Sequence, residues 1–253
     1  MRRRALLTRL LLVTVLLPGP VRAAELSVFA AASLADALGE IAAAYERESG
    51  DHAVLNLGAS SALARQIQEG APADLFLSAD EEKMNALEKR KLLLPGTRKS
   101  VLSNTLVIVV PDDSRLKITG AKDLASPGIR AIALAEPQSV PAGIYAKEYL
   151  KKIGIWSKVI DRVVPTENVR AALAAVESGN VDAGVVYKTD AGISKRVKIA
   201  YEVPRAEGPV ISYPFAVVAG SARPEAARRF LEYLQSPAAL AVFRKYGFLV
   251  LGG

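Results

Sequence analysis

The chain of 253 residues carries 33 Lys+Arg against 26 Asp+Glu, a formal net charge of +7, and no cysteine. Zero cysteines exclude disulfides, thiolate metal sites and thiol nucleophiles. Five of the arginines (Arg2, Arg3, Arg4, Arg9 and Arg22) precede residue 24 without one acid beside them. From there on, 28 basic side chains face 26 acidic ones, net +2, and no Lys/Arg-aromatic interleaving points to nucleic acid.

Residues 1–24 read as a secretory signal peptide that is removed. Arg2–Arg4 form a basic start, Leu10–Leu17 an apolar run, and Val21-Arg22-Ala23 a small-residue cleavage pattern, with cleavage after Ala23 or Ala24. The run is shorter than the roughly 20 residues a bilayer span needs, and Pro18 and Pro20 break it. No cysteine stands at the cleavage point to carry a lipid. Export without disulfides fits a bacterial periplasm, where crosslinks are permitted but not required. The remaining ~230 residues are enough for a sizeable core, as one α/β unit or two small lobes.

Strand and helix patterns then alternate. Leu26–Ala30 is a short apolar strand. Leu34, Ala37, Leu38, Ile41, Ala44 and Tyr45 fall on one helical face, and Gly50 stops that helix. Ala53–Leu57 alternates like a strand; Ala62–Glu69 is helical, Asp74–Ser78 a strand, and Asp80–Lys89 a helix. Thr105–Val110 is a β-rich run ended by Pro111. Ile132–Ala135 is a strand, Gly143–Ile153 a helix, and Asn168–Ser178 a helix closed by Gly179. Ala183–Tyr187 and Ile211–Ala219 are strands, and Pro224–Gln235 and Pro237–Lys245 are terminal helices.

Repeated β–α alternation implies mostly parallel sheet flanked by helices. In such sheets ligands sit beyond the carboxyl ends of strands, where helix N-termini point. Four helix starts follow short, neutral turns: Ala30-Ala31-Ala32-Ser33, Gly58-Ala59-Ser60-Ser61, Val140-Pro141-Ala142-Gly143 and Pro165-Thr166-Glu167-Asn168-Val169. Helix N-termini carry unpaired N–H groups and a partial positive charge. Several converging on one point bind an oxyanion without a Lys or Arg.

Each candidate has a plainer reading. Ser33, with Asp36 three residues on, also reads as a cap of its own helix in a capping-box pattern. Ser60 reads as a cap, or as a nucleophile elbow, since Gly58-Ala59-Ser60-Ser61-Ala62 is one residue from G-x-S-x-G. The elbow lacks partners: the single histidine, His52, lies upstream of the serine, and no S-x-x-K occurs. Thr166 reads as the cap of the helix beginning near Asn168. Tyr187 ends a strand and either presents its hydroxyl to a cleft or is a core tyrosine bonded to backbone. His-based metal clusters and phosphate-cradling glycine loops are absent from the sequence.

Taken together these segments resemble the periplasmic molybdate-binding proteins of molybdate ABC transporters. The resemblance rests on Val28-Phe29-Ala30-Ala31-Ala32-Ser33-Leu34, Gly58-Ala59-Ser60-Ser61-Ala62-Leu63-Ala64-Arg65-Gln66-Ile67 and Gly70-Ala71-Pro72-Ala73-Asp74-Leu75-Phe76-Leu77-Ser78-Ala79-Asp80. Val140-Pro141-Ala142-Gly143-Ile144-Tyr145-Ala146, Glu167-Asn168-Val169-Arg170, Gly184-Val185-Val186-Tyr187 and Arg244-Lys245-Tyr246-Gly247-Phe248 continue it. One departure is Gly58-Ala59, ahead of Ser60, where many members carry another serine.

The resemblance implies a two-lobe α/β periplasmic binding fold of type II, with the ligand in the cleft. Lobe 1 is then residues 25–104 with 216–253, and lobe 2 residues 105–215, with crossing strands near 105–110 and 211–219. It implies a non-enzymatic binder of molybdate, and of tungstate, that works as a monomer and delivers its ligand to a membrane permease. Ser33, Ser60 and Tyr187 would bind through hydroxyls, Ala142 and Val169 through backbone N–H. All five would hold the metal only through its oxyanion oxygens, with no direct metal ligand and no cofactor. A site of donors alone suits an anion that offers only acceptors and disfavours hydrogen phosphate, whose proton needs an acceptor. Other ligands stay open: sulfate, an organic acid clamped by Arg65 or Arg170, or ferric ion, which wants several Tyr or carboxylate ligands.

Overall fold

The structure, a computed structural model, describes residues 23–252. All but the last two residues of the expected signal peptide lie outside that range. No helix among the described residues is long and apolar enough to cross a membrane.

The chain opens with β1 (Glu25–Ala31), a 3-10 turn at Ala32–Leu34 and α1 (Ala35–Ser49). Then come β2 (His52–Gly58), α2 (Ser60–Gln68), β3 (Leu75–Leu77), α3 (Glu81–Lys89) and β4 (Lys99–Ser103). The second part holds β5 (Leu106–Pro111), β6 (Ile132–Ala135), α4 (Pro141–Lys152), α5 (Trp156–Val159) and β7 (Val163–Thr166). It continues with α6 (Val169–Glu177), β8 (Ala183–Tyr187), α7 (Lys188–Ile193) and β9 (Val197–Glu202). The chain returns through β10 (Tyr213–Val217), α8 (Pro224–Tyr233), α9 (Pro237–Lys245) and β11 (Leu249–Val250).

Two sheets result. The first has the order β11-β4-β10-β3-β1-β2 and the second β7-β6-β8-β5-β9. β1 runs parallel to β2 and β3, and β6 parallel to β7 and β8, as crossover helices require. β10 and β5 enter antiparallel, so each sheet is mixed. With the helices on their faces, the sheets form the two lobes of a type II binding-protein fold.

The structure adds strands the alternation did not reveal, and the edge position of one gives the reason. β7 contains Pro165, which argues against a strand. As an edge strand, however, it has no ladder partner on one side, and there proline is tolerated. The crossings between sheets also fall elsewhere than on β strands. β5 is paired on both sides within the second sheet, to β8 and β9. β10 is paired in the first sheet from Tyr213 onward, three residues before the boundary expected at 216. An interior strand has both edges committed to one ladder, and the chain passes from one sheet to the other in segments 104–105 and 203–212, outside the strands.

Gly143 fixes how closely α4 approaches β6. A Cβ there would lie 1.9 Å from the Ala135 carbonyl oxygen, a backbone atom that cannot step aside. Only glycine therefore lets the start of α4 reach the end of β6. Gly39, in the exposed middle of α1, has nothing within 4 Å of its Cβ position. Gly143→Ala is expected to destabilise the fold by about 1–3 kcal/mol, and Gly39→Ala to stabilise it by about 0.5–1 kcal/mol. Urea unfolding of both variants checks the pair.

Candidate functional site

Five turns meet between the two sheets. Each follows the carboxyl end of a strand that has a parallel neighbour: β1, β2, β6, β7 and β8. The register sets Ala31 beside Gly58 and Ala135 beside Thr166, so the turns after each pair leave the sheet side by side. They enclose one small cavity of about 10 Å³. Ser33, Ser60, Ala142, Val169 and Tyr187 all line it, and no charged side chain does.

The three hydroxyls are buried and differently engaged. Ser60 Oγ accepts a hydrogen bond from Ala79 N–H at 3.0 Å, which leaves its own proton uncommitted. Ser33 Oγ lies 3.1 Å from the Tyr213 hydroxyl. The Tyr187 hydroxyl meets no partner. Burial, and then the neighbouring Tyr213, push its ionisation well above the ordinary tyrosine range. It therefore stays neutral and keeps a proton to donate.

Backbone donors complete the lining. The first intrahelical bond of α2 runs from Leu63 N to Ala59 O at 3.0 Å, so the N–H groups of Ser60, Ser61 and Ala62 have no acceptor within the helix. Pro141 opens α4 and has no N–H; the ladder begins at Ile144 N, bonded to Val140 O at 2.9 Å, so Ala142 and Gly143 are left free. In α6 the Asn168 side chain takes Arg170 N at 2.9 Å and Ala171 N at 3.0 Å, which leaves Val169 N–H. Alanines and glycines around these donors keep the backbone accessible.

Several plainer readings give way. Neither Ser33 nor Ser60 caps its helix through its side chain. Asp36 does not complete a capping box; it pairs with Arg170 at 2.5 Å. Thr166 is not the cap of α6, because Asn168 holds that position while Thr166 Oγ1 donates to the carbonyls of Leu134 and Asn168. His52 is exposed and pairs with Glu46, so it offers Ser60 no base. Tyr213 and Asn104 escaped the sequence reading. Asn104 alone carried a signal: it is a polar residue between two apolar runs.

One ion cluster stands beside the cavity without entering it. Arg170 Nε contacts Asp190 Oδ1 at 2.6 Å as an ion pair rather than an aligned hydrogen bond, while its Nη2 reaches Asp36 across the cleft. Asp190 is completely buried. Burial pushes its carboxyl up to about 6, against the pull of the Arg170 guanidinium. Arg65 is exposed on α2 and does not line the cavity either. No cluster of three or more His, Cys, Asp or Glu able to hold a metal occurs among the described residues.

A two-lobed α/β fold over a small, uncharged, donor-lined cavity is the arrangement of a solute-binding protein. Residues 26–249 match the family described as bacterial extracellular solute-binding protein, and the chain belongs to that family. It is 40% identical over 232 residues to the molybdate-binding protein ModA of Escherichia coli (strain K12), covering 89% of each chain. The solved structure of the Azotobacter vinelandii periplasmic molybdate-binding protein superposes with a TM-score of 0.81 at 26% identity, covering 88% of this chain and 98% of that one. The sulfate-binding protein SubI of Mycobacterium tuberculosis H37Rv shares the fold, with a TM-score of 0.80 at 21% identity, covering 90% and 88%.

The raised Asp190 carboxyl has a pH signature. Unfolded aspartate titrates near 3.9, so folding takes up a proton between about pH 4 and 6. The stability this group contributes is full below about pH 4 and is lost as pH rises through about 6. Relative to an Asp190→Asn variant, the wild type should gain up to about 3 kcal/mol from pH ~7 to ~4. Urea unfolding across that range checks it; a constant or reversed difference contradicts the burial argument.

Proposed function

We propose that this protein binds molybdate, and also tungstate, in the periplasm and delivers it to the membrane permease of an ABC transporter. The observation that carries the reading is the composition of the cavity wall. Ser33, Ser60 and Tyr187 supply hydroxyl donors, Ala142 and Val169 supply N–H donors, and no ionised side chain takes part. Near neutral pH molybdate is a dianion without protons and offers acceptors only. Hydrogen bonds to an ion are the stronger kind, and excluding water strengthens them further. The resemblance to ModA over most of the chain supports the same ligand.

The lobes divide the work. Residues 25–104 and the returning C-terminal segment carry Ser33 and Ser60; the segment from 105 to β9 carries Ala142, Val169 and Tyr187. An anion bonded to both sets favours the closed form by its differential affinity for it. The permease then reads the closed form.

The alternatives find less support. Organic acids call for an arginine clamp, and neither Arg65 nor Arg170 lines the cavity. A ferric site wants several oxygen ligands bearing charge, and the lining has one tyrosine and no carboxylate. Sulfate offers the same charge and acceptors as molybdate, so only cavity size separates them.

Thermal unfolding of residues 25–253 with molybdate, tungstate, sulfate, phosphate or citrate tests this. A ligand at 100 times its Kd adds ~2.7 kcal/mol, and that stabilisation is expected with molybdate and tungstate alone. Ser60→Ala is expected to weaken molybdate binding at least about tenfold. A flat response to both metal oxyanions, or unchanged affinity in Ser60→Ala, contradicts the proposal.

A further inference from the structure

The geometry assigns Asn104 and Tyr213 a positioning role: they set the direction of the Ser33 hydroxyl proton, so that Ser33 faces the bound anion as a donor. This inference rests on the oxyanion reading of the cavity. Neither residue lines the cavity. Both act through Ser33.

The direction follows from the one group in the chain of contacts that has no choice. Thr105 N lies 2.9 Å from the Asn104 side chain, and a backbone N–H can only donate. The Asn104 atom facing it is therefore the carbonyl oxygen, and the amide nitrogen faces the other way. That nitrogen donates to Thr189 Oγ1 at 2.9 Å and to the Tyr213 hydroxyl oxygen at 3.2 Å, which uses both of its protons. Tyr213 is wholly buried, so no water reaches its hydroxyl. Burial also raises its ionisation, so it remains a neutral donor. Its proton goes to the other oxygen within reach, Ser33 Oγ at 3.1 Å. Ser33 accepts that bond, and its own proton is left for the cavity. The reverse direction would strand the Tyr213 proton in a dry interior, an unfavourable state.

Ser60 is set by the same logic through Ala79 N–H. The Ser33 relay differs in being assembled from distant segments: the crossover at 104–105, β10 of the first sheet, and Thr189 on α7 beside the second. The donor character of Ser33 thus depends on both lobes being in place. Its consequence is selectivity. An oxyanion that carries a proton, such as hydrogen phosphate, needs an acceptor in the site, and the relay turns the bonded lone pair of Ser33 away from it.

Tyr213→Phe keeps the ring, which packs against Tyr187 and Phe248 at centroid distances of 5.9 and 5.5 Å, and removes only the relay hydroxyl. Titration calorimetry with molybdate and with hydrogen phosphate would compare wild type, Tyr213→Phe, Ser33→Ala and the double variant. The expected result is a loss of molybdate affinity of about tenfold in Tyr213→Phe, with a smaller loss or a gain for hydrogen phosphate. In the Ser33→Ala background the same change should cost less than about twofold, because its route to the anion is gone. Asn104→Asp, which replaces the amide donor by an acceptor, should lower the preference for molybdate over hydrogen phosphate in the same way. Equal losses for both anions, or the same cost with and without Ser33, would overturn the relay. A wild-type chain that binds neither molybdate nor tungstate would overturn the oxyanion reading itself, and the relay with it.

Discussion

The Tyr187 hydroxyl is buried, holds its proton because burial raises its ionisation, and has no acceptor among the described residues. A stranded donor of this kind costs ~1–3 kcal/mol. Here it is not alone. The starts of α2, α4 and α6 turn N–H groups without intrahelical acceptors toward the same small cavity. These donors suit a ligand that accepts hydrogen bonds from every side. A small oxyanion does this, and the deficit in donor satisfaction becomes the source of affinity. The closed cleft and its ligand are two aspects of one electrostatic constraint.

Backbone donors reach a small ion only if side chains stay out of the way. The wall is accordingly built of Ala31, Ala32, Gly58, Ala59, Ala79 and Ala142. Gly143 carries the requirement furthest, since any Cβ there would collide with the Ala135 carbonyl and hold α4 away from the sheet. Pro141 at the first position of α4 removes an N–H the helix could not have satisfied and pre-sets its backbone. Asn168 fills two N–H groups of α6 and leaves the third to the cavity. Small residues and selective capping together decide which donors face inward.

Charge is handled by keeping it adjacent but occupied. Arg170 follows Val169 directly and, unpaired, would bring a cation to the rim. Asp190 and Asp36 engage it from two sides, and Asp36 belongs to α1 of the other lobe. The ion pair therefore spans the cleft while the cavity itself remains neutral. Neutral donors recognise acceptors by geometry, whereas a free guanidinium would hold any anion within reach.

The sequence by itself determined what local physics controls. Alternation of apolar strands and amphipathic helices was legible, as were the helix starts at Ser33, Ser60, Ala142 and Val169, because caps, prolines and glycines act over a few residues. Tyr187 was legible as a strand end, with a cleft hydroxyl and a core tyrosine both open, since the residues around it come from segments as far as 156 positions away. β7, β9 and β11 were hidden for a related reason: edge strands take their stability from a partner on one side, and Pro165 is acceptable only because β7 has a free edge. Thr166 and Asn168 are both good caps, and only the folded turn chose Asn168. Tertiary structure alone joined Asn104, Tyr213 and Ser33, whose separations along the chain of 109 and 180 residues leave no periodic trace. Hydrogen-bond direction is a property of neighbours in space, and a single sequence does not specify which neighbours those are.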